Sequence, residues 1–525
     1  MKSYLINTYI IALIMMITSC DESEVLKEVP RNILSTNNLY TTEEGFQYGL
    51  NALYAKARLE KAEMRPTGTL PYAMLSMGVD NCWGNYIGPG DFAIQYFQEF
   101  NNPNAVIYNS MFVWLYEIVS SANQIINRAE NVEITWTTGR KEIVVAEAKV
   151  LRYWAYRHLT YMWGAVPLSL EESTGSTIRL DWERTPVDEI LEVMEKDLQY
   201  ASDNLPSVPG LPGGLTSSVA DYYLAELYLK MNDPQKAENS AMRIIETGNY
   251  SLITSRYGIK SGDMGTPYTD QFIDGNVLRV QGNTEVIWEW LFEADVVGGG
   301  GSWLRNYWEM RYYSISGVSL SPALGGRGVG RQSPTRAAID LYETTDDRVS
   351  DAAMHWFLIK DDGDSVFLRT TDETEKDVYW PSIKKWDYYH PDEKRIAEKD
   401  GYNDIPYLRL ADVYLLLAEA LHKQDKNIEA AIYLNMVRER SGASSISAGD
   451  VDMEFILDER SRELIGEEHR RYTLLRTGTW LGRTQTMNPI SGPFITERDE
   501  LFPIPQEVLD ANISSPMLQN PGYSE

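Results

Sequence analysis

Glu459, Glu463 and Glu467 fall at steps of four, so a single helix face would carry three carboxylates. That is the first place to look for acid–base chemistry. Glycoside hydrolysis needs two carboxyls flanking a sugar, normally from separate elements. Here Arg460, Arg462, Arg470 and Arg471 surround the stripe. Structural ion pairing is therefore the expectation, no catalytic residue is assigned, and the chain is not read as an enzyme. Other chemistries lack their residues. HExxH, paired CxxC and GxSxG are absent, and Gly325 to Gly330 match neither a dinucleotide fingerprint nor a P-loop. The histidines at 158, 355, 390, 422 and 469 stand at no metal-ligand spacing. The Asp361-Asp362-Gly363-Asp364 turn lacks the alternating ligands of a calcium loop. Neither a metal nor a cofactor is expected.

The remaining chemistry is at the N-terminus. Lys2 precedes an apolar run from Ile10 to Ile17 that stops at Thr18-Ser19-Cys20. The run is too short to span a bilayer as a mature helix and suits a signal peptide. Ile17-Thr18-Ser19-Cys20 resembles a bacterial lipobox, so residues 1–19 are expected to be removed and Cys20 acylated. More than one acyl chain gives stable anchoring. No later stretch approaches transmembrane length. The acidic tract Asp21-Glu22-Ser23-Glu24 is compatible with inner-membrane retention or with surface export. Lys and Arg number 48 against 76 Asp and Glu; losing Lys2 with the leader gives 47 − 76 = −29. Such a balance excludes a nucleic-acid footprint and disfavours docking on anionic lipid. Cys82 has no disulfide partner once Cys20 is lipidated.

The elements are mostly helical. Residues 20–38 form a lipidated, polar tether ahead of a single domain over 39–525. Val144, Ala148, Leu151, Ala155, Leu159 and Met162 make one apolar face in a helix from Gly139 to Trp163. Thr185 is the expected N-cap of the next helix, with Pro186 in its first turn. Ala225-Glu226 is followed twelve residues later by Ala237, and Ala418-Glu419 twelve residues later by Ala430. Small residues at those offsets let antiparallel helices approach, the logic of a tetratricopeptide (TPR) hairpin. Two such hairpins are expected at about 216–248 and 405–442. Between them, at about 275–400, the texture changes to a loop-rich insert. Val277–Val280 and Glu285–Phe292 alternate like strands, and Trp356–Ile359 with Val366–Arg369 suggest a hairpin. Residues 294–335 are rich in glycine and aromatics, as functional loops often are. The fold class is mainly α, with TPR-like hairpins, irregular loops and a small β component.

Four blocks resemble the SusD/RagB family of outer-membrane glycan-binding lipoproteins. They are Ala146 to Tyr156 with Trp163-Gly164-Ala165-Val166-Pro167-Leu168; Leu408 to Ala420 with Leu434 to Gly442; Asp458 to Leu464 with Glu467, Arg470 and Arg476; and Phe502-Pro503-Ile504-Pro505 with Gln519 to Tyr523. The resemblance implies a surface lipoprotein that captures oligo- or polysaccharide as the lid of a TonB-dependent SusC-like transporter. It also implies that the acidic tract after Cys20 directs export to the outer face of the outer membrane. A peptide-binding or protein-scaffold lipoprotein is the alternative, and a secreted glycoside hydrolase a more remote one.

Sugar-contacting residues vary across the family, so candidates come from physics: pyranose C–H faces stack on aromatic rings while polar side chains bind hydroxyls. Asp80, Trp83, Asn85 and Tyr86 have that mixture, as do Trp303, Asn306, Tyr307, Trp308 and Tyr312 after the Gly298–Gly301 run.

Overall fold

The computed structural model describes residues 39–63, 71–76, 78–84, 101–174, 179–368, 378–387 and 395–523. Cys20 and the tether lie outside these residues. The helices that set the architecture are α1 (Glu43–Arg58), α2 (Val106–Asn131), α3 (Arg140–Trp163), α4 (Val187–Asn204), α5 (Ser217–Lys230), α6 (Pro234–Glu246), the short α7 (Leu304–Trp308), α8 (Leu410–His422), α9 (Asn427–Arg440), α10 (Met453–Leu464), α11 (Arg470–Arg476) and α12 (Trp480–Met487). Each of α2 to α5 packs on its successor, and α6 then packs on α8, which carries α9 and α10. Among the described residues, no helix is long and apolar enough to cross a membrane.

Local sequence explains the two hairpins. Asp233 caps α6 by accepting from the Lys236 amide, with Pro234 in the first turn. Asn232 at φ 57° and Asp425 at φ 59° make the left-handed turns between α5 and α6 and between α8 and α9. Ala225, Ala237, Ala418 and Ala430 are all buried, so the small residues sit where the helices meet. The glutamate beside each first alanine is buried too. Glu226 pairs with Arg157 at 2.8 Å, and Glu419 pairs with Arg476.

Among the described residues, the β component is four separate two-stranded pairs. In chain order the strands are β1 (Cys82–Trp83), β2 (Val286–Trp290), β3 (Ser333–Pro334), β4 (Met354–His355), β5 (Phe357–Ile359), β6 (Ser365–Phe367), β7 (Ser382–Ile383) and β8 (Ile405–Arg409). β2 pairs with β8, β5 with β6, β1 with β3, and β4 with β7, all antiparallel.

Three local expectations need correction. Thr185 does not cap α4: its amide bonds the Val166 carbonyl at 2.9 Å in an isolated bridge, and Pro186 takes the cap position. Val277–Val280 is no strand, because a 3-10 turn begins at Arg279. The glutamate stripe is broken, since α10 ends at Leu464 and Gly466 turns the chain at φ 79°. Glu467 therefore lies beyond the helix.

Ion pairing does hold these glutamates, but with cations drawn from distant segments. Glu459 meets Arg348 at 2.7 Å, Arg438 at 2.8 Å and Arg462 at 2.8 Å. Glu463 meets Arg348 and Arg409, each at 3.1 Å, and Arg440. Glu467 meets Arg409 at 2.6 Å and Lys385. Arg409 and Arg440 also share Glu285, at 2.6 and 3.0 Å. Of the four neighbouring arginines, only Arg462 touches the stripe; Arg460 turns to Asp412 and Glu468, Arg470 to Asp80 and Glu468, and Arg471 to the backbone at Asp499 and Glu500. Burial opposes ionisation of Glu459 and Glu463, yet the guanidiniums hold both carboxyls at about 2. With each oxygen occupied by a cation, the stripe is a clamp between loop and helices.

Candidate ligand groove

The structure brings the two aromatic clusters together, but inside the protein. β1 docks on β3, the Thr335 amide bonds the Asn81 carbonyl at 3.0 Å, and the Gln332 amide bonds the Tyr307 carbonyl at 2.7 Å. Trp83 is fully buried; its indole N–H donates to the Pro334 carbonyl at 3.0 Å, and its ring meets Trp380 edge-on at 5.4 Å. Asp80 pairs with Arg470 at 2.6 Å and with Arg483 at 2.8 Å. Those guanidiniums outweigh burial and keep its carboxyl below the usual range. The Trp303 indole donates to Asp400 at 2.7 Å, Asn306 donates to the Lys399 carbonyl, and the Tyr312 hydroxyl donates to the Gly326 carbonyl at 2.7 Å. Tyr307 lies 5.7 Å from Tyr72, and Trp308 is buried beside Gly466.

None of these seven side chains presents a face to solvent, which corrects the expectation that they stack on sugar. Apolar rings whose polar atoms can be satisfied by nearby carbonyls and carboxylates are more stable inside than wet. Asn85 and Tyr86 lie outside the described residues.

Solvent meets a mixed polar and aromatic surface elsewhere. A groove of about 500 Å³ runs between α1, the first turns of α3, the 206–215 loop and β2. Gln47, Asn51, Tyr54 and Arg58 line it from α1, at spacings of four, three and four, while Phe46, Leu50, Leu53 and Ala57 bury the adjoining face. Arg140, Ile143 and Glu147 repeat this pattern on α3. The loop Pro206-Ser207-Val208-Pro209-Gly210-Leu211-Pro212-Gly213-Gly214-Leu215 leaves Leu211 74% exposed at the rim. Gly213 adopts φ 77°, and a Cβ there would meet Leu291 at 3.2 Å, so the loop closes tightly on the floor.

Hydrogen bonds fix the polar groups. Tyr54 donates to Glu147 at 2.8 Å and accepts from the Leu215 amide at 3.3 Å. Gln47 donates to Asn51 at 2.8 Å and accepts from Arg140, whose guanidinium also lies 3.8 Å from Glu147. Glu289 accepts from the Gly213 amide at 3.1 Å. Burial pushes the carboxyls of Glu147 and Glu289 up, because mainly neutral donors hold them. Arg58 and Arg140 balance these two carboxylates, so the groove has no net charge to recruit an anion. Its volume falls in the usual range for small-molecule sites. Amides, a phenol, two guanidiniums and two carboxyls beside hydrocarbon are the equipment for a neutral polyol with apolar faces. The four-residue and three-residue spacing on α1 was the available sequence signal, and it reads as an ordinary solvated helix face until the 206–215 loop is seen above it.

Similarity to known proteins fits this frame. The family model described as the SusD family matches residues 369–523, and one described as starch-binding associating with outer membrane matches residues 47–229. The chain belongs to the SusD/RagB family. It is similar to SusD-like protein P2 of Formosa agariphila, 25% identical over 540 residues and 100% of both chains. It is also similar to Starch-binding protein SusD of Bacteroides thetaiotaomicron, 33% identical over 150 residues, or 27% of this chain and 26% of that one. Among solved structures, a laminarin binding SusD-like protein superposes with a TM-score of 0.72 at 22% identity, over 92% of this chain and 100% of the other. Surface glycan-binding protein A from Bacteroides thetaiotaomicron, in complex with laminarihexaose, gives 0.72 at 19% identity, over 91% and 100%. At those identities the likeness is one of fold. The helical SusD-like fold expected from the sequence is the one observed.

Proposed function

We propose that this chain is a cell-surface glycan-binding lipoprotein, tethered through Cys20, that captures oligo- or polysaccharide and hands it to a TonB-dependent SusC-like transporter whose opening it covers. The observation that carries the proposal is correspondence along nearly the whole chain with SusD-like proteins, one of them named for laminarin binding and another solved with laminarihexaose. The family model described as associating with outer membrane supports the location. The groove supports the ligand class. Its charge is balanced, its planar polar groups are pre-oriented by one another, and Leu211 and Val208 supply exposed hydrocarbon for sugar C–H faces. Binding without cleavage fits this reading, because buried arginines hold the stacked Glu459 and Glu463 ionised.

A second contact region is favoured by one observation. Asp80 and Trp83 are rigidly anchored immediately before Asn85 and Tyr86, and a rigid base is what a binding loop requires. In that case Asn85 and Tyr86 touch the glycan and the buried residues only hold the loop. Affinity electrophoresis of the full chain through gels containing laminarin, starch or other polysaccharides tests the proposal. The expected result is retardation by one class of glycan with no release of reducing ends. Depolymerisation of the retained glycan, or free migration in every gel, would remove it.

A further inference from the structure

Outside the groove and the glutamate clamp, one buried cluster sets two carboxylates against a single imidazole. Glu309 follows α7, His355 is in β4 and Asp387 follows β7. His355 Nε2 stands 3.1 Å from Glu309 Oε2 and 3.3 Å from Asp387 Oδ2. Both are close ion-pair contacts without full hydrogen-bond alignment, which leaves both oxygens of Glu309, Asp387 Oδ1 and His355 Nε2 without a well-aligned partner. Glu309 and His355 are almost wholly enclosed, while the Asp387 side chain is 23% exposed and gives a route from solvent. Among the described residues, no lysine or arginine ion-pairs with either carboxylate. Lys384, whose charge reaches Asp387, places its ammonium on the Asp351 carbonyl at 2.6 Å. Burial and the Asp387 carboxylate push Glu309 up to about 8, and against burial the two carboxylates push His355 up to about 9.

We propose that Glu309, His355 and Asp387 form a site for one divalent transition-metal ion of the zinc class. The three donor atoms lie within 4.8 Å of one another. A tetrahedral ion with bonds of about 2.0–2.1 Å holds its ligands roughly 3.3 Å apart, close to the two separations to the imidazole nitrogen. One imidazole with two carboxylates is a zinc-type donor set, whereas calcium and magnesium take oxygen ligands alone. The ion would tie the segment after α7 to the β4–β7 pair, two parts of the insert otherwise joined by few regular elements.

The second buried histidine–carboxylate group makes the contrast. Glu60 is bonded by His469, and Lys61 lies 3.3 Å from it, while Arg157 lies 2.7 Å from the other nitrogen of His469. Lys61 and the Tyr407 hydroxyl already satisfy the carboxylate, and Lys61 and Arg157 would repel a metal ion.

The test strips the full chain with a chelator, adds zinc chloride alone and measures bound metal by mass spectrometry after desalting. One equivalent per chain is expected, with a rise in Tm that magnesium and calcium do not reproduce. His355→Gln and Asp387→Asn each lower zinc affinity by about 100-fold and keep the wild-type retardation by glycan. Cobalt(II) added to the wild type gives visible tetrahedral bands, a readout that stands even if a variant fails to fold. Zinc content near background, a featureless cobalt spectrum, or stoichiometric zinc on both variants would overturn the site. These outcomes are independent of whether glycan binds.

Discussion

The clamp around Glu459, Glu463 and Glu467 and the groove between α1 and α3 use the same side-chain types in opposite surroundings. In the clamp, each carboxylate meets two or more cations and is closed to water. In the groove, Glu147 and Glu289 rest on a phenol and a backbone amide, and their pKa values rise. Dense charge therefore marks the structural part of this molecule, and sparsely compensated polar groups at an opening mark the part equipped for a ligand.

Glu463→Gln breaks this contrast most severely. It leaves three buried guanidiniums facing a neutral amide and should cost about 3–5 kcal/mol of unfolding free energy, read from urea titration. Trp83→Ala should cost a similar amount, about 3–5 kcal/mol, because it opens a cavity between β1 and Trp380. Wild-type stability with lost glycan retention would show instead that the Trp83 ring is a ligand platform. Acid sharpens the comparison on a smaller scale. Glu459 and Glu463 have folded-state pKa values of about 2, below the unfolded value of about 4.3. Their stabilisation is fully present above that unfolded value and is lost as pH falls through about 2. Unfolding free energy measured from pH 6 down to pH 2 should fall steadily below about pH 4.5; a flat profile would mean the clamp is not ionised. The smallest effect belongs to the groove. Asn51→Ala should weaken glycan binding by about three- to fivefold and leave the urea midpoint unchanged.

The scaffold was legible because its signals are local. Alanine offsets of twelve, the Asp233-Pro234 break and the period of α3 each act within one or two helices. The expected cap at Thr185 failed because the helix starts one residue later, with Pro186 at the cap, and a tertiary bridge to Val166 keeps Thr185 in the extended segment before it. The site was poorly legible for a different reason. Aromatics next to asparagines look alike in sequence whether they stack on sugar or bond the Pro334 carbonyl and Asp400. Burial decides between the two, and burial is set by segments hundreds of residues apart. The groove has the same origin: Arg140 and Glu289 line one opening only because α3 and β2 flank the same loop. Glu309, His355 and Asp387 likewise share no spacing that a metal motif would show.

Calorimetric titration of the full chain with oligomers of the retained glycan, beside Arg140→Ala, tests the central claim most directly. Saturable one-site binding by the wild type is predicted, weakened about tenfold by Arg140→Ala at unchanged Tm. Equal affinity for both, with loss of binding in Asn85→Ala or Tyr86→Ala, would contradict the groove as the ligand site.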